Sequence, residues 1–173
     1  VAREAPAEWR ALQSENAVMR GEPQAAWNLA QEGLALQPGN PRLLVLAGES
    51  AGLLGNAAAI PSDRAEWFGR SADYFGEVTR RRPFFAYAWR ERALALDWCG
   101  KPMSALPVHL HAITRDPEGA QAYEYLALHY WKQGRFEEAA RLFRMSRGMP
   151  GSRLSGEFLN KIEQVQRNSR QGR

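Results

Sequence analysis

The chain has 173 residues, of which 45% are hydrophobic and 24% charged, and its net charge is +4. This length and composition suffice for one continuous core and require no second domain. No apolar run approaches the roughly 18 residues that a membrane span needs, and the N-terminus lacks the order of a signal peptide. A lone cysteine, Cys99, forms no internal disulfide framework, and we interpret it as a small apolar residue.

Two features bear on the source of the chain. It begins at Val1 rather than at a methionine, which indicates part of a longer protein or a processed product. Twenty arginines against three lysines suggest a GC-rich genome and therefore a bacterial source. The compartment stays open between the bacterial cytoplasm and the periplasm.

Proline and glycine punctuation predicts an all-α chain of four helix pairs, with a period of about 34 residues that is clearest in the third and fourth pairs. The first pair covers about residues 7–40, with Gly21 at its turn, Ala26 at a position that requires a small side chain, and Pro38 at its close.

The second pair, about residues 41–85, carries an insertion. Its predicted turn is at Gly55. One full period after Pro38 ends at position 72, whereas the next closing proline is Pro83. An insertion of about 11 residues relative to the repeat period therefore precedes the second helix of this pair. Ser62 or Asp63, followed by Glu66, predicts a capping-box start for that helix.

The third pair covers about residues 86–119 and the fourth about residues 120–151, and they share a signature at matching spacing. In the third pair it is Trp89-x-x-Arg92-Ala93-x-x-Leu96 with Ala105-x-x-x-His109; in the fourth it is Tyr123-x-x-Leu126-Ala127-x-x-Tyr130 with Ala139-x-x-x-Phe143. The turn glycines Gly100 and Gly134 are also separated by one full period. This pattern resembles the tetratricopeptide (TPR) repeat.

The resemblance implies a TPR-like helical-hairpin solenoid, stacked as a right-handed superhelix, whose usual work is to bind other proteins. A small residue such as Ala127 lets two antiparallel helices approach, and large neighbours fill the space beside it. After the fourth pair, apolar residues at helical spacing over about 154–168 predict a capping helix that covers the last repeat. We predict a single domain over residues 1–168 and a disordered tail over 169–173.

TPR geometry also implies which residues point into a concave groove lined by the first helix of each pair. These are Tyr87, Arg90, Leu94, Asp97 and Trp98 in the third pair, and Gln121, Glu124, Leu128, Trp131 and Lys132 in the fourth. Large aromatic side chains beside cations favour a peptide hot spot. The alternative for Trp98 and Trp131 is packing between repeats or against the capping helix. Equivalent positions in the first two pairs hold chiefly Glu8, Glu15, Val45 and Glu49, a sparser and more acidic wall.

The sequence contains no recognisable catalytic or metal-binding pattern. His109 and His111 are two residues apart, which aims them at different faces of a helix, and His129 belongs to another repeat. No phosphate-binding loop, nucleophile elbow or acid–base dyad is present. We therefore predict no catalytic residues, no metal ligands and no cofactor, and hence no enzyme in this segment.

Charge is distributed unevenly along the chain, with net −4 over residues 1–79 and net +6 over residues 132–173. The basic end is either a solvated outer face or a docking surface for an acidic partner, an anionic membrane face or nucleic acid. Nucleic acid is the weakest of these three, because no aromatic stacking platforms accompany the basic residues.

Three functions remain open from the sequence. The preferred one is a non-catalytic protein–protein interaction module that binds a peptide or partner protein in its concave groove. The second is a soluble TPR tail of a larger bacterial envelope protein, such as a polysaccharide polymerase or ligase, whose chemistry lies outside this segment. The third is a self-association scaffold, and the partner and oligomeric state are left undetermined.

Overall fold

The computed structural model describes residues 4–171, and within that range all regular secondary structure is helical. The nine helices described are α1 (Glu4–Met19), α2 (Pro23–Leu36), α3 (Pro41–Ala57), α4 (Pro61–Arg81), α5 (Ala86–Trp98), α6 (Pro102–Arg115), α7 (Ala120–Lys132), α8 (Phe136–Ser146) and α9 (Ser155–Gln171). Four pairs followed by a ninth helix confirm the predicted architecture.

Each pair packs internally and then onto the next pair. The second helix of one pair contacts the first helix of the following pair, and α8 contacts α9 in the same way. First helices also touch one another, α1 against α3 and α5 against α7. The face that the first helices α1, α3, α5 and α7 form is called the first-helix face below.

Small residues at the helix crossings are fully buried, as the repeat signature predicts. Ala93, Ala105, Ala127 and Ala139 expose none of their surface. The turns are equally regular, since Gly21, Gly100 and Gly134 have φ values of 72°, 80° and 74° in the left-handed region that glycine adopts without a steric penalty. Local sequence therefore decides where each of these three pairs reverses direction.

The second pair departs from the prediction in two respects. Gly55 is not a turn residue, because α3 continues through it to Ala57. A Cβ atom at this position would lie 2.9 Å from the ring of Phe68, so glycine here permits close packing of α3 on α4. The predicted capping box at the start of α4 is also wrong. The helix begins at Pro61, and its N-cap residue, Ile60, makes no side-chain capping bond. Proline suits this position because the first helical residue has no intrahelical N–H bond to lose.

The residues of the insertion lengthen the helices rather than form a long loop. Helix α4 has 21 residues and is the longest of the helices described. At the other end, α9 continues to Gln171, so residues 169–171, which the sequence pattern assigns to a tail, are helical. Residues 172–173 lie outside the described range.

Candidate partner-binding face

A cavity of about 390 Å³ opens on the first-helix face between α3 and α5. Residues of four helices line it, including Val18 of α1. The lining comprises Gly48, Glu49, Gly52, Leu53 and Asn56 of α3, Phe68, Ser71 and Phe75 of α4, and Tyr87, Glu91, Leu94 and Ala95 of α5. This space is called the α3–α5 cavity below. Its mixture of aromatic and aliphatic side chains with few polar groups is typical of a binding site.

Two glycines of α3, Gly48 and Gly52, line the cavity and differ in their surroundings. An added Cβ at Gly48 would come within 2.9 Å of the Phe75 ring, so this glycine lets α3 and α4 approach closely. At Gly52 an added Cβ would meet only the hydroxyl oxygen of Ser71, at 3.6 Å. A Cβ at Gly52, which lines the cavity, would therefore be accommodated at ordinary contact distance.

The polar side of the cavity is built from Glu49, Tyr87 and Glu91. The Tyr87 hydroxyl donates a hydrogen bond to Oε1 of Glu49 at 2.5 Å. Burial raises the pKa of Glu49, the bond from Tyr87 lowers it by less, and the charge of Glu15 raises it further. Burial and the charges of Glu49 and Glu91 raise the pKa of Tyr87, so that its hydroxyl stays protonated and acts as a donor.

Glu91 lies in the same environment. Its carboxylate receives a bond from the neighbouring Arg90 at 3.3 Å, yet burial leaves the pKa of Glu91 raised, with a further contribution from the charge of Glu49. Arg90 itself lies over the rings of Tyr87 and Tyr125, at 5.2 and 5.7 Å from their centroids. Two incompletely neutralised carboxylates thus share one cavity.

Trp98 lies at the end of α5 and keeps 41% of its surface exposed. Its ring stacks on that of Phe68, which also lines the α3–α5 cavity, with 5.8 Å between the ring centroids. Nζ of Lys132 lies 3.9 Å from the Trp98 ring centroid and donates to the backbone oxygen of Asp97 at 2.9 Å. Burial lowers the pKa of Lys132, and the charge of Asp97 counteracts that shift.

Trp131 is placed differently. It is half-buried and packs on Phe136 of α8 and Phe158 of α9, with centroid separations of 4.9 and 5.7 Å. These rings belong to a core cluster formed by α7, α8 and α9. Of the two predicted tryptophans, Trp98 is thus the more accessible, and Trp131 takes the alternative packing against the capping helix.

Asp97, which the repeat geometry places in the groove, is 8% exposed and lies at the centre of a buried network. One of its carboxylate oxygens is 2.8 Å from Nε2 of His109, and the other is 2.7 Å from Nδ1 of His129. Burial raises the pKa of Asp97, but the two histidine bonds outweigh it, so the pKa is lowered. Burial lowers the pKa of His109 against the opposing effect of Asp97. An ionised Asp97 that accepts a hydrogen bond from a neutral His109 fits the directions of both pKa shifts.

The same three residues are the one group of potential metal ligands within residues 4–171, since their ligand atoms lie within 4.8 Å of one another. Two ligands of a tetrahedral zinc ion lie about 3.3 Å apart, given bond lengths near 2.0–2.1 Å. The nitrogen–oxygen separations of 2.8 and 2.7 Å are shorter and match direct hydrogen bonds. The geometry therefore fits a polar network that joins α5, α6 and α7.

Glu124, also predicted to face the groove, is 1% exposed and caps α9. Its Oε1 atom accepts bonds from the backbone N–H groups of residues 153, 154 and 155 and from the hydroxyls of Ser152 and Ser155, all at 2.7 to 3.0 Å. Burial raises the pKa of Glu124, but these donors outweigh it and lower the pKa overall. The carboxylate thus satisfies the first turn of α9 from another helix.

The remaining predicted positions are less specialised. Tyr87 and Leu94 line the α3–α5 cavity. Gln121 is partly exposed on α7, whereas Leu128 is half-buried beside the core of α7 to α9. Sequence reasoning missed Glu91, Gly52 and the convergence on Asp97. A signal for the cavity was present, since Gly48 and Gly52 are glycines inside a predicted helix and outside its turn.

Comparison with known proteins supports the fold through structure rather than sequence. No family model and no curated protein matches the chain. A TPR protein of Thermus thermophilus, TTC0263, matches with a TM-score of 0.73 at 15% identity, over 91% of this chain and 80% of that one. MamA from Desulfovibrio magneticus RS-1 matches with a TM-score of 0.69 at 19% identity, over 94% of this chain and 96% of that one. The O-GlcNAc transferase of Thermobaculum terrenum matches with a TM-score of 0.64 at 18% identity, over 84% of this chain but only 27% of that one.

These similarities confirm the predicted TPR-like, all-α solenoid. At such low sequence identity they support the fold alone and do not indicate an activity. Among the described helices, none has the length and apolar character required to cross a membrane.

Proposed function

We propose that this chain is a non-catalytic protein-interaction module that binds a segment of a partner protein on its first-helix face, with the α3–α5 cavity as the anchoring point. The observation that carries the proposal is the cavity itself, about 390 Å³ in volume and lined by residues of four helices. Gly52 lines this cavity, and an added Cβ there would meet only Ser71 at an ordinary contact distance of 3.6 Å, so the chain keeps glycine at a position where a side chain is sterically allowed.

The anchoring point lies nearer the N-terminus than the repeat geometry suggested. Asp97 and Glu124 are buried and bonded within the chain, and Trp131 packs against α8 and α9, so these side chains are committed to the fold. Tyr87, Leu94, Arg90 and the exposed edge of Trp98 remain as contact residues beside the cavity. Aromatic and arginine side chains of this kind dominate binding energy at interfaces.

Random peptides displayed on phage, panned against the immobilised protein, test the proposal. Gly52→Leu is the matched variant, because it places a side chain in the cavity and also favours helix by roughly 0.8 kcal/mol. We expect selected peptides that bind the wild type and lose most of their affinity for Gly52→Leu, whose thermal midpoint stays equal or rises. Peptides that bind both proteins equally would contradict the proposed site.

A further inference from the structure

We propose that the α3–α5 cavity accepts a basic side chain, an arginine or a lysine of the partner segment, between the carboxylates of Glu49 and Glu91. This inference rests on the proposed function and names the chemistry of the partner. It differs from the sequence-based interpretation, which centred the contact on aromatic side chains and cations in the groove of the third and fourth pairs.

Negative charge around the cavity exceeds the positive charge that the chain supplies. Glu49 of α3 and Glu91 of α5 line the cavity. The charge of Glu15 on α1 contributes to the raised pKa of Glu49, and the charge of Glu49 contributes to the raised pKa of Glu91. Glu15 is already paired with Arg42. Arg90 meets Glu91 at 3.3 Å. Within residues 4–171, the structure gives Glu49 a neutral donor, Tyr87, and no basic partner. A single added cation would neutralise this excess.

The shape and lining of the cavity suit a long basic side chain. Phe68, Phe75 and Leu94 also line the cavity, and we call their apolar surface the apolar floor. Arginine and lysine bury their methylene stems on apolar surface while the charged head reaches polar groups. A volume of about 390 Å³ can hold such a side chain together with part of its neighbour. A short acidic or neutral side chain would leave the carboxylates unpaired and the floor uncovered.

Partial desolvation of the two carboxylates strengthens their attraction for a cation. An ion pair between exposed groups contributes little, because water screens it and two side chains are immobilised. Glu49 and Glu91 are half-buried, already ordered by neighbouring residues, and incompletely compensated. An incoming cation therefore gains attraction from carboxylates whose desolvation has already occurred on folding. The net −4 of residues 1–79 also favours the approach of a basic segment.

The test uses a positional-scanning library of fluorescent octapeptides, in which each position is fixed in turn as Arg, Lys, citrulline, Gln, Glu or Leu. Citrulline has the shape of arginine without its charge. Binding is measured by fluorescence anisotropy with the wild type, with Glu49→Gln/Glu91→Gln, and with Glu118→Gln/Glu163→Gln. The last variant loses the same charge at exposed sites outside the cavity.

We expect one peptide position at which the wild type binds Arg or Lys at least about tenfold more tightly than citrulline, which is the scale of one charge-assisted contact. Glu49→Gln/Glu91→Gln should lose that preference, and Glu118→Gln/Glu163→Gln should keep it. Equal loss in both variants would mean that only the overall charge matters and would overturn the inference. A preference for Arg or Lys over citrulline that stays unchanged in Glu49→Gln/Glu91→Gln would also overturn the inference.

Failure of this inference is distinguishable from failure of the proposed function. Peptides that Gly52→Leu excludes but that contain no essential basic residue would overturn the inference and leave the proposed function standing. An absence of any peptide that Gly52→Leu excludes would overturn both. Sedimentation velocity of the protein alone adds a third arm: a concentration-dependent dimer that Gly52→Leu abolishes would assign the cavity to a second copy of the chain and overturn the inference.

Discussion

The carboxylates of two regions of the molecule have pKa values shifted in opposite directions. In the C-terminal half, Asp97 and Glu124 are buried, surrounded by donors, and have lowered pKa values. Around the α3–α5 cavity, Glu49 and Glu91 are half-buried, have fewer donors, and have raised pKa values. Asp97 and Glu124 stabilise the fold, whereas the ionised forms of Glu49 and Glu91 are poorly compensated by neighbouring groups. Residues of the second kind are candidates for binding, because a ligand can provide what the chain does not.

The largest expected effect concerns the two tryptophans, which separate core from surface. Trp131→Ala should lower the free energy of unfolding by about 4 kcal/mol, because it removes a ring packed between α7, α8 and α9. Trp98→Ala should have a much smaller effect, since 41% of that side chain is exposed. Urea unfolding of both variants measures the difference. Equal losses would remove the distinction between the two positions.

Loss of the carboxylate that caps α9 should rank next. Glu124→Gln removes the charge that strengthens five hydrogen bonds and places an NH₂ group beside the N–H of Arg153, and we expect a loss of about 3 kcal/mol. Hydrogen exchange should show opening concentrated in α9. Glu118→Gln is the control, since that side chain is exposed. A variant as stable as this control would mean that the cap contributes nothing.

The buried network should make stability depend on pH. Burial lowers the pKa of His109 below its ordinary value of 6.5. As pH falls, His109 therefore binds a proton in the unfolded chain before it does so in the folded chain. The contribution of His109 to the free energy of unfolding is therefore present above pH 6.5 and is lost as pH falls below that value. His109→Gln, which retains a donor for Asp97, should flatten the slope. Unfolding curves between pH 5 and 7.5 that keep the wild-type slope in this variant would contradict the assignment.

The smallest effect has the opposite sign and belongs to the cavity. A raised pKa in the folded state means that folded Glu49 binds a proton more readily than unfolded Glu49, so its ionised form opposes folding near neutral pH. Glu49→Gln should therefore raise stability by about 0.5 kcal/mol at pH 7.5, and the gain should fade as pH approaches 4.5. Calorimetry at the two pH values measures it. A destabilised variant at neutral pH would show that the Tyr87 bond outweighs the burial of charge.

Sequence spacing predicted the architecture well because the relevant interactions are local or recur at a fixed interval. Gly100 and Gly134 reverse the chain through their own backbone preference, and Ala93 and Ala127 lie wherever the period places them. The prediction failed where the period was interrupted. At Gly55, close contact with Phe68 of another helix decides the role of the glycine, and turn chemistry does not.

The candidate site was only partly predictable. Tyr87 and Leu94 follow from the repeat register, but the register also assigned Asp97 and Glu124 to the groove, and both carboxylates are buried. A side chain's direction on an isolated helix is set by its position in the helical turn. Whether it then meets solvent or donors depends on neighbouring helices, which single-sequence periodicity does not include.

By itself, the sequence determined that this chain is a stack of helix pairs with turns at defined glycines and small residues at the crossings, because each of those choices is settled within a few residues or by the repeat period. Only the tertiary structure decided that His109 and His129, from different helices, share one aspartate. It also decided that α3 and α5 leave a cavity where Glu49 and Glu91 approach each other. Both outcomes depend on the distances at which helices remote in sequence pack, and these are set by the summed volumes of side chains across the interface.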